Sequence, residues 1–283
     1  MTMLREVHTE NIVAAVKELC IRINFRLNAD VVDALRNALA KEKSETGKMV
    51  LRMILENDRE AFSRKMPLCQ DTGMVVAYVE IGQNVRILGS RLEEAVNEGV
   101  KLAYKDAYLR KSMVNDPLER KNTGDNTPAM LHEKMVKGNT LSICLMAKGA
   151  GAENMSRLKM LKPSEGAEGV KEFVLDTVLK AGANPCPPVI VGVGVGGSFD
   201  TVAVLAKKAL FRRLGSSNKN AVYSKMENEL LKKINASGIG PQGLGGTTTA
   251  LAVHVESLPC HIGALPVAVN LNCFTARHGL VEI

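Results

Sequence analysis

The chain has 283 residues, of which 46% are hydrophobic, 24% charged, 24 Gly and 10 Pro; this is length for one large domain or two intimate ones, and it excludes a peptide, a disulfide-stapled miniprotein, a collagen-like repeat and a long disordered chain. No apolar run reaches the roughly 18 residues of a spanning helix, and the opening MTMLREVHTENIV lacks the apolar stretch of a secretory signal, so the expected compartment is cytoplasmic, with no membrane partner. The net charge of +7 comes from dispersed Lys and Arg, and with 4% aromatics and no Trp stacking platforms for nucleic acid are hard to assemble; a solvated surface with a local site for a small carboxylate or phosphate fits better.

The first 65 residues read as helical. Ile12, Val13, Val16, Leu19 and Cys20, then Val31, Val32, Leu35 and Leu39, recur at helical spacing with no Pro or Gly before Gly47. After the turn CQDTG, the segment MVVAYVEIG (74–82) is apolar and β-branched enough for a strand. A helix is predicted from Ser90, with Ser90 and Glu93 as the halves of a capping box and Leu92, Ala95, Val96, Val100 and Ala103 on one face. Residues 115–127, NDPLERKNTGDNT, make a polar loop longer than a neutral connector needs, ending on Asn126 and Thr127 as weaker candidates for lining a pocket.

Segment 139–147 reads as a strand running into KGAGAEN (148–154), whose glycines expose amides beside Lys148. A helix over 167–181 is broken by ANPCPP; VIVGVGVGG then reads as a buried strand, and SFDTVAVLAKKALFRRLG resumes helical spacing. A further helix runs from about 217 to 234, and TTTALAVHVE and ALPVAVNLNC are strands on either side of the turn SLPCHIG. With no regular βαβ period and no internal repeat, the expected fold is mixed α+β. The expectation is an N-terminal helical lobe followed by a sheet-containing lobe with glycine-rich turns, as one domain over 1–283 with sub-lobes 1–66 and 67–283.

Two glycine runs invite a nucleotide reading. Gly192, Gly194, Gly196 and Gly197 follow a strand and precede a helix, but their spacing is G-x-G-x-G-G, and no acidic residue closes a second strand about 20 residues on. Close approach to packed chain is the alternative. The run GIGPQGLGGTTTA (238–250) lacks the G-K-[ST] ending of a phosphate loop and reads equally as a cradle or as a long turn. A dinucleotide-dependent oxidoreductase is therefore the rival class.

Six cysteines in a chain without a secretory signal point to a reducing compartment. Cys20 and Cys144 sit in apolar runs as small hydrophobes. Cys69, Cys186 and Cys273 stand instead at breaks, in PLCQDTG, NPCPPVI and NLNCFTARHG. No C-x₂-C knuckle exists for zinc. Three distant thiols suit an iron–sulfur cluster with one open iron, against the alternative of scattered core cysteines.

At PLCQDTGM, KGAGAEN, CPPVIVGVGVGGSFD, GIGPQGLGGTTTALAVHVE and LPVAVNLNC the chain resembles the α subunit of the iron–sulfur hydro-lyases, class I fumarate hydratase and L(+)-tartrate dehydratase. The resemblance runs from about residue 10 to the C-terminus. It implies a [4Fe-4S] cluster held by Cys69, Cys186 and Cys273, with Cys260 outside the ligand set. It also implies Gln70, Asp71 and Arg110 as substrate-binding residues, amides of Gly149 and Gly151 on a second carboxylate with Lys148 supplying charge, and His261 as the active-site histidine. A planar guanidinium suits a carboxylate and a histidine suits proton transfer; the ordinary alternatives are a capping Asp71, a solvated Arg110 and a structural histidine, of which His254 is an example. The implied reaction is reversible hydration of a small dicarboxylate, fumarate to malate, with tartrate as the alternative substrate. No base stands out here, so the resemblance implies a separate β subunit that completes the site.

Overall fold

The computed structural model describes residues 4–283. In chain order the elements are β1 (Arg5–His8), α1 (Thr9–Phe25), α2 (Ala29–Lys41), α3 (Glu45–Arg64), β2 (Met74–Gly82), β3 (Val85–Leu88), α4 (Leu92–Asp106), β4 (Met130–Val136) and β5 (Leu141–Lys148). There follow α5 (Ala150–Glu153), β6 (Arg157–Leu161), α6 (Gly166–Ala181), β7 (Val189–Gly197), α7 (Phe199–Ala209), α8 (Ala221–Asn235), β8 (Ala250–Cys260), β9 (Leu265–Asn272) and β10 (His278–Glu282). The chain is α+β, and its described residues divide into two compact units, 4–28, 58–150 and 277–283 in the first and 29–57 and 151–276 in the second. Helix α1 serves the first unit and α2 the second, so the N-terminal helices are shared between two cores.

In the first unit a four-stranded sheet runs in the order β10-β5-β2-β4, with β5 antiparallel to β10 and β2, and β2 parallel to β4; β1 and β3 form a separate parallel pair. Alternation fixes which face is buried. Leu141, Ile143, Leu145 and Ala147 of β5 join Val75, Ala77 and Val79 of β2 beneath α1 and α4, which contribute Ile12, Val16, Leu19 and Ile23, and Ala95, Val96, Val100 and Ala103. Burying each such aliphatic side chain is worth roughly 1.5–3 kcal/mol. The two helices approach closely because Gly99 leaves room: a Cβ there would stand 2.7 Å from the Val16 side chain. Helix α4 starts at Leu92, later than the Ser90–Glu93 box predicts. The Ser90 amide is taken by Thr9 Oγ1 at 3.3 Å, and Glu94 instead accepts the Arg91 amide at 3.1 Å.

The second unit holds a sheet in the order β6-β9-β7-β8, with β9 antiparallel to β6 and β7, and β7 parallel to β8. Strand β7 reads V-I-V-G-V-G-V, and its alternation explains both faces. Val191, Val193 and Val195 pack with α6 and α8 through Val170, Phe173, Val174, Leu230 and Ile234. Gly192 and Gly194 lie beneath α7: a Cβ on Gly194 would come within 2.5 Å of the Val202 carbonyl oxygen, and one on Gly192 would strike that of Ala206. These glycines permit helix–strand contact, the close-packing reading of the first glycine run.

Candidate active site

The turn CQDTG lies in the first unit just before β2. Its Asp71 carboxylate accepts two amides, Gly73 on Oδ1 and Ala150 on Oδ2, both at 2.9 Å. The turn therefore folds back on itself and is tied to the end of β5. Gly73 adopts φ +72, and a Cβ there would stand 2.6 Å from the Lys148 carbonyl oxygen, so only glycine lets the two segments touch. Gln70 is exposed, and the Cys69 thiol points at Gln70 Oε1 across 3.4 Å.

Buried polar groups hold this turn from behind. Tyr104 of α4 donates its hydroxyl to the Thr72 carbonyl at 2.6 Å, and burial pushes its phenol well above the usual range. Asn126, fully buried at φ +65, donates to the Gly73 carbonyl at 3.1 Å and accepts the Ser112 amide at 2.7 Å. Thr72 donates its hydroxyl to the Arg110 carbonyl at 2.8 Å, so Arg110, four residues beyond α4 with its side chain exposed, is tethered to the turn by its own backbone. Gln70, Asp71, Arg110 and Gly149 all belong to this unit, whereas Gly151 falls in the second.

In the second unit Cys186 is exposed at φ +56, in the turn between α6 and β7. The second glycine run braces it. Gln242 donates its amide and its side-chain Nε2 to the Pro187 carbonyl at 2.8 and 2.7 Å. Several other amides of that run are consumed locally, Gly243 on Gly240, Leu244 on Pro241 and Gly245 on Ile239, while Thr247 donates to Glu42. With most of its N–H groups engaged within the chain, the run favours the turn over the phosphate cradle. Gln242 lies in a glycine-rich motif and Asn126 in the polar loop, but the bracing role of each shows only through the partner it meets in space.

Cys273 is half-buried in the turn after β9, with its sulfur 2.9 Å from the buried Thr275 hydroxyl. His261 is exposed in the turn between β8 and β9, and its Nδ1 accepts the Gly263 amide at 3.1 Å, which leaves Nε2 to carry the proton of a neutral ring. The remaining cysteines differ in setting. Cys20 is buried and its thiol pushed up to about 12 by burial, Cys144 is half-buried on β5, and Cys260 is exposed with its thiol toward the Ala264 carbonyl. His254 is buried with Nδ1 3.2 Å from the Ala209 carbonyl, a structural setting.

None of the six cysteines is in a disulfide. Among the described residues no three His, Cys, Asp or Glu side chains are grouped to hold a metal ion as they stand; Cys69 belongs to the first unit, Cys186 and Cys273 to the second. The chemistry of the donor set suits iron and sulfide: three soft thiols, each in a turn and none fully buried. No helix among the described residues is long and apolar enough to cross a membrane.

The profile of the family described as fumarate hydratase (Fumerase) matches residues 13–282, nearly the whole chain. The chain belongs to the fumarate hydratase family. It is similar to "Putative L(+)-tartrate dehydratase subunit alpha" of Methanocaldococcus jannaschii, with 43% identity over 274 residues, 95% of this chain and 96% of that one. It is similar also to the L(+)-tartrate dehydratase subunit alpha of Escherichia coli strains UTI89 and K12, each with 35% identity over 264 residues, 92% of this chain and 87% of theirs. Membership of the fumarate hydratase family makes the chain a hydro-lyase and sets aside the dinucleotide-dependent oxidoreductase, in keeping with the glycines packed under α7.

Proposed function

We propose that this chain is the α subunit of a hydro-lyase acting on a small dicarboxylate, with fumarate and malate as the substrate pair. In this reading Cys69, Cys186 and Cys273 hold a [4Fe-4S] cluster, and a separate β subunit completes the site. The observation that carries the reading is the braced turn in which a thiol, a carboxamide and a carboxylate stand in sequence at Cys69, Gln70 and Asp71, tied by Thr72 to Arg110 and by Asp71 to Ala150. Such a turn presents a metal-binding sulfur beside groups that recognise hydroxyl and carboxylate oxygens. When bound, a cluster with an open iron supplies a Lewis acid that weakens a C–OH bond without redox change.

This chain's own residues then have distinct tasks. Arg110, with an exposed guanidinium on a tethered backbone, binds one substrate carboxylate through two parallel hydrogen bonds. Gln70, exposed at the turn, contacts a substrate oxygen through its carboxamide. Asp71 has both oxygens committed to amides, so it orients the turn and meets substrate only through its remaining lone pairs. The amides of Gly149 and Gly151 serve the second carboxylate. In this reading His261, whose Nδ1 is taken by the Gly263 amide, uses Nε2–H to donate to a departing hydroxyl.

The names of the relatives favour a second reading, L(+)-tartrate as substrate, because those proteins are called tartrate dehydratase α subunits; the same word "alpha" supports the β-subunit partner. Fumarate, malate and tartrate share two carboxylates and differ in hydroxyl count, so the machinery above serves all of them. An anaerobic assay of the chain with its β subunit against fumarate, malate and both tartrate enantiomers separates the readings. Turnover of fumarate and malate supports the first, turnover of L(+)-tartrate alone replaces it with the second, and turnover of none rejects both.

A further inference from the structure

Four residues beyond Cys273, immediately before β10, stands an arginine to which nothing above assigns a task. Arg277 is only 2% exposed. Its backbone carbonyl accepts the Ala147 amide at 2.9 Å, pinning the end of β5. Its Nη1 donates to Asn24 Oδ1 at 3.0 Å, and Asn24, buried at the end of α1, donates in turn to the Cys20 carbonyl at 2.9 Å. The Nε of the same guanidinium is buried without a hydrogen-bond partner. A buried cation with an unmade hydrogen bond is costly unless a negative charge stands nearby.

That charge is at hand. A Cβ built on Gly149 would lie 3.3 Å from Asp71 Oδ2 and 3.6 Å from Arg277 Nη2, so the carboxylate and the guanidinium face the same small space above the Gly149 α-carbon. No direct ion pair joins them. Asp71 is already held by the Gly73 and Ala150 amides, and the missing side chain of Gly149 keeps the space between the charges open.

We propose that Arg277 is a positioning residue for the substrate-facing turn: its buried charge holds Asp71 over Gly149, and its carbonyl fixes the strand end that supplies the Ala150 amide. The proposal rests on the dicarboxylate reading given above. It separates two contributions, the backbone bond, which any residue at 277 makes, and the charge, which only Arg or Lys supplies. Attraction between opposite charges in a poorly solvated site is stronger than at the surface, so a lysine whose ammonium reaches the same space restores much of what a neutral side chain loses.

The test compares Arg277→Met, Arg277→Lys and Gly149→Ala in the anaerobic, cluster-loaded complex with its β subunit, reading kcat, KM, and the rise in thermal midpoint caused by succinate, an unreactive dicarboxylate. Arg277→Met should raise KM about tenfold or more and lose the succinate-induced shift at unchanged iron content, and Arg277→Lys should recover most of both. Gly149→Ala leaves every bond of Arg277 in place and should raise KM by filling the shared space. Two results overturn the proposal: a KM and succinate shift equal to wild type in Arg277→Met, or equal losses of midpoint in the Met and Lys variants without change in KM. If Arg277→Met does not fold, an unchanged KM in both Arg277→Lys and Gly149→Ala overturns it. A wild-type complex that turns over no dicarboxylate rejects the functional reading instead, and the succinate shift then still reports on Arg277.

Discussion

Asp71 and Ala150 are 79 positions apart in sequence, yet Asp71 Oδ2 accepts the Ala150 amide at 2.9 Å. With Gly73 on its other oxygen, this carboxylate closes the cysteine-bearing turn against the KGAGAEN segment. Asp71→Asn keeps the shape but replaces one acceptor oxygen by an NH₂ donor facing an amide. Leaving that amide unmet costs about 1–3 kcal/mol. The expected result is a lower thermal midpoint together with a loss of hydratase activity of about tenfold or more; a melting curve and a kinetic assay on the same preparation check it.

Asn126 is expected to matter for stability before chemistry. It is fully buried and bonds both Ser112 and Gly73, and its φ of +65 is tolerated by Asn and Gly better than by other residues. Asn126→Ala removes both bonds and strains the backbone, so a loss of about 2–4 kcal/mol is expected in urea unfolding. Asn126→Gly, which keeps the backbone at ease, should lose less than the Ala variant.

Glu42 gives a pH signature confined to the second unit. Burial raises its carboxyl, but the Ser44 and Thr247 amides and the Thr248 and Thr247 hydroxyls outweigh that and lower it from 4.5 to about 2. A carboxylate with a depressed folded pKa stabilises the fold above its unfolded value and loses that contribution as the pH falls through the folded one. Glu42→Gln should therefore cost on the order of 2–3 kcal/mol at pH 7, and the gap to wild type should narrow as the pH drops from 4.5 toward 2. Urea midpoints measured across that range test the sign.

His261 is exposed and its hydrogen bond to the Gly263 amide is local. His261→Ala should leave the thermal midpoint within experimental scatter while lowering kcat about 10²-fold or more, the usual size of a lost general acid. A parallel fall in stability and rate would instead assign it a structural role.

Much of the fold was legible because periodicity reports burial. Strand β2 (Met74–Gly82) spans the predicted residues and α6 lies where apolar spacing put it, while α8 begins at Ala221 rather than near 217, because Asn220 caps it by accepting the Val222 amide. Strands β4 and β6 escaped notice because each is an edge strand with mostly partial burial, and edge pairing leaves little alternation in the sequence. The glycine runs were ambiguous for a physical reason. The same residue serves an anion cradle, a close helix contact and a tight turn, and only the neighbours, α7 over Gly194 and Pro187 under Gln242, decide among them. The motif residues Gln70, Asp71, Arg110 and Gly149 announced themselves through the resemblance, whereas Tyr104, Asn126 and Arg277, which brace them, depend on contacts between distant segments that no local pattern records.

The central claim is most directly tested by counting iron and acid-labile sulfide in the complex of this chain with its β subunit after anaerobic reconstitution. Wild type should carry about four irons per α chain, with Cys69→Ser, Cys186→Ser and Cys273→Ser each losing most of that content and Cys20→Ser, Cys144→Ser and Cys260→Ser retaining it. A wild-type complex without iron, or full iron content in all three of the Cys69, Cys186 and Cys273 variants, would contradict the account.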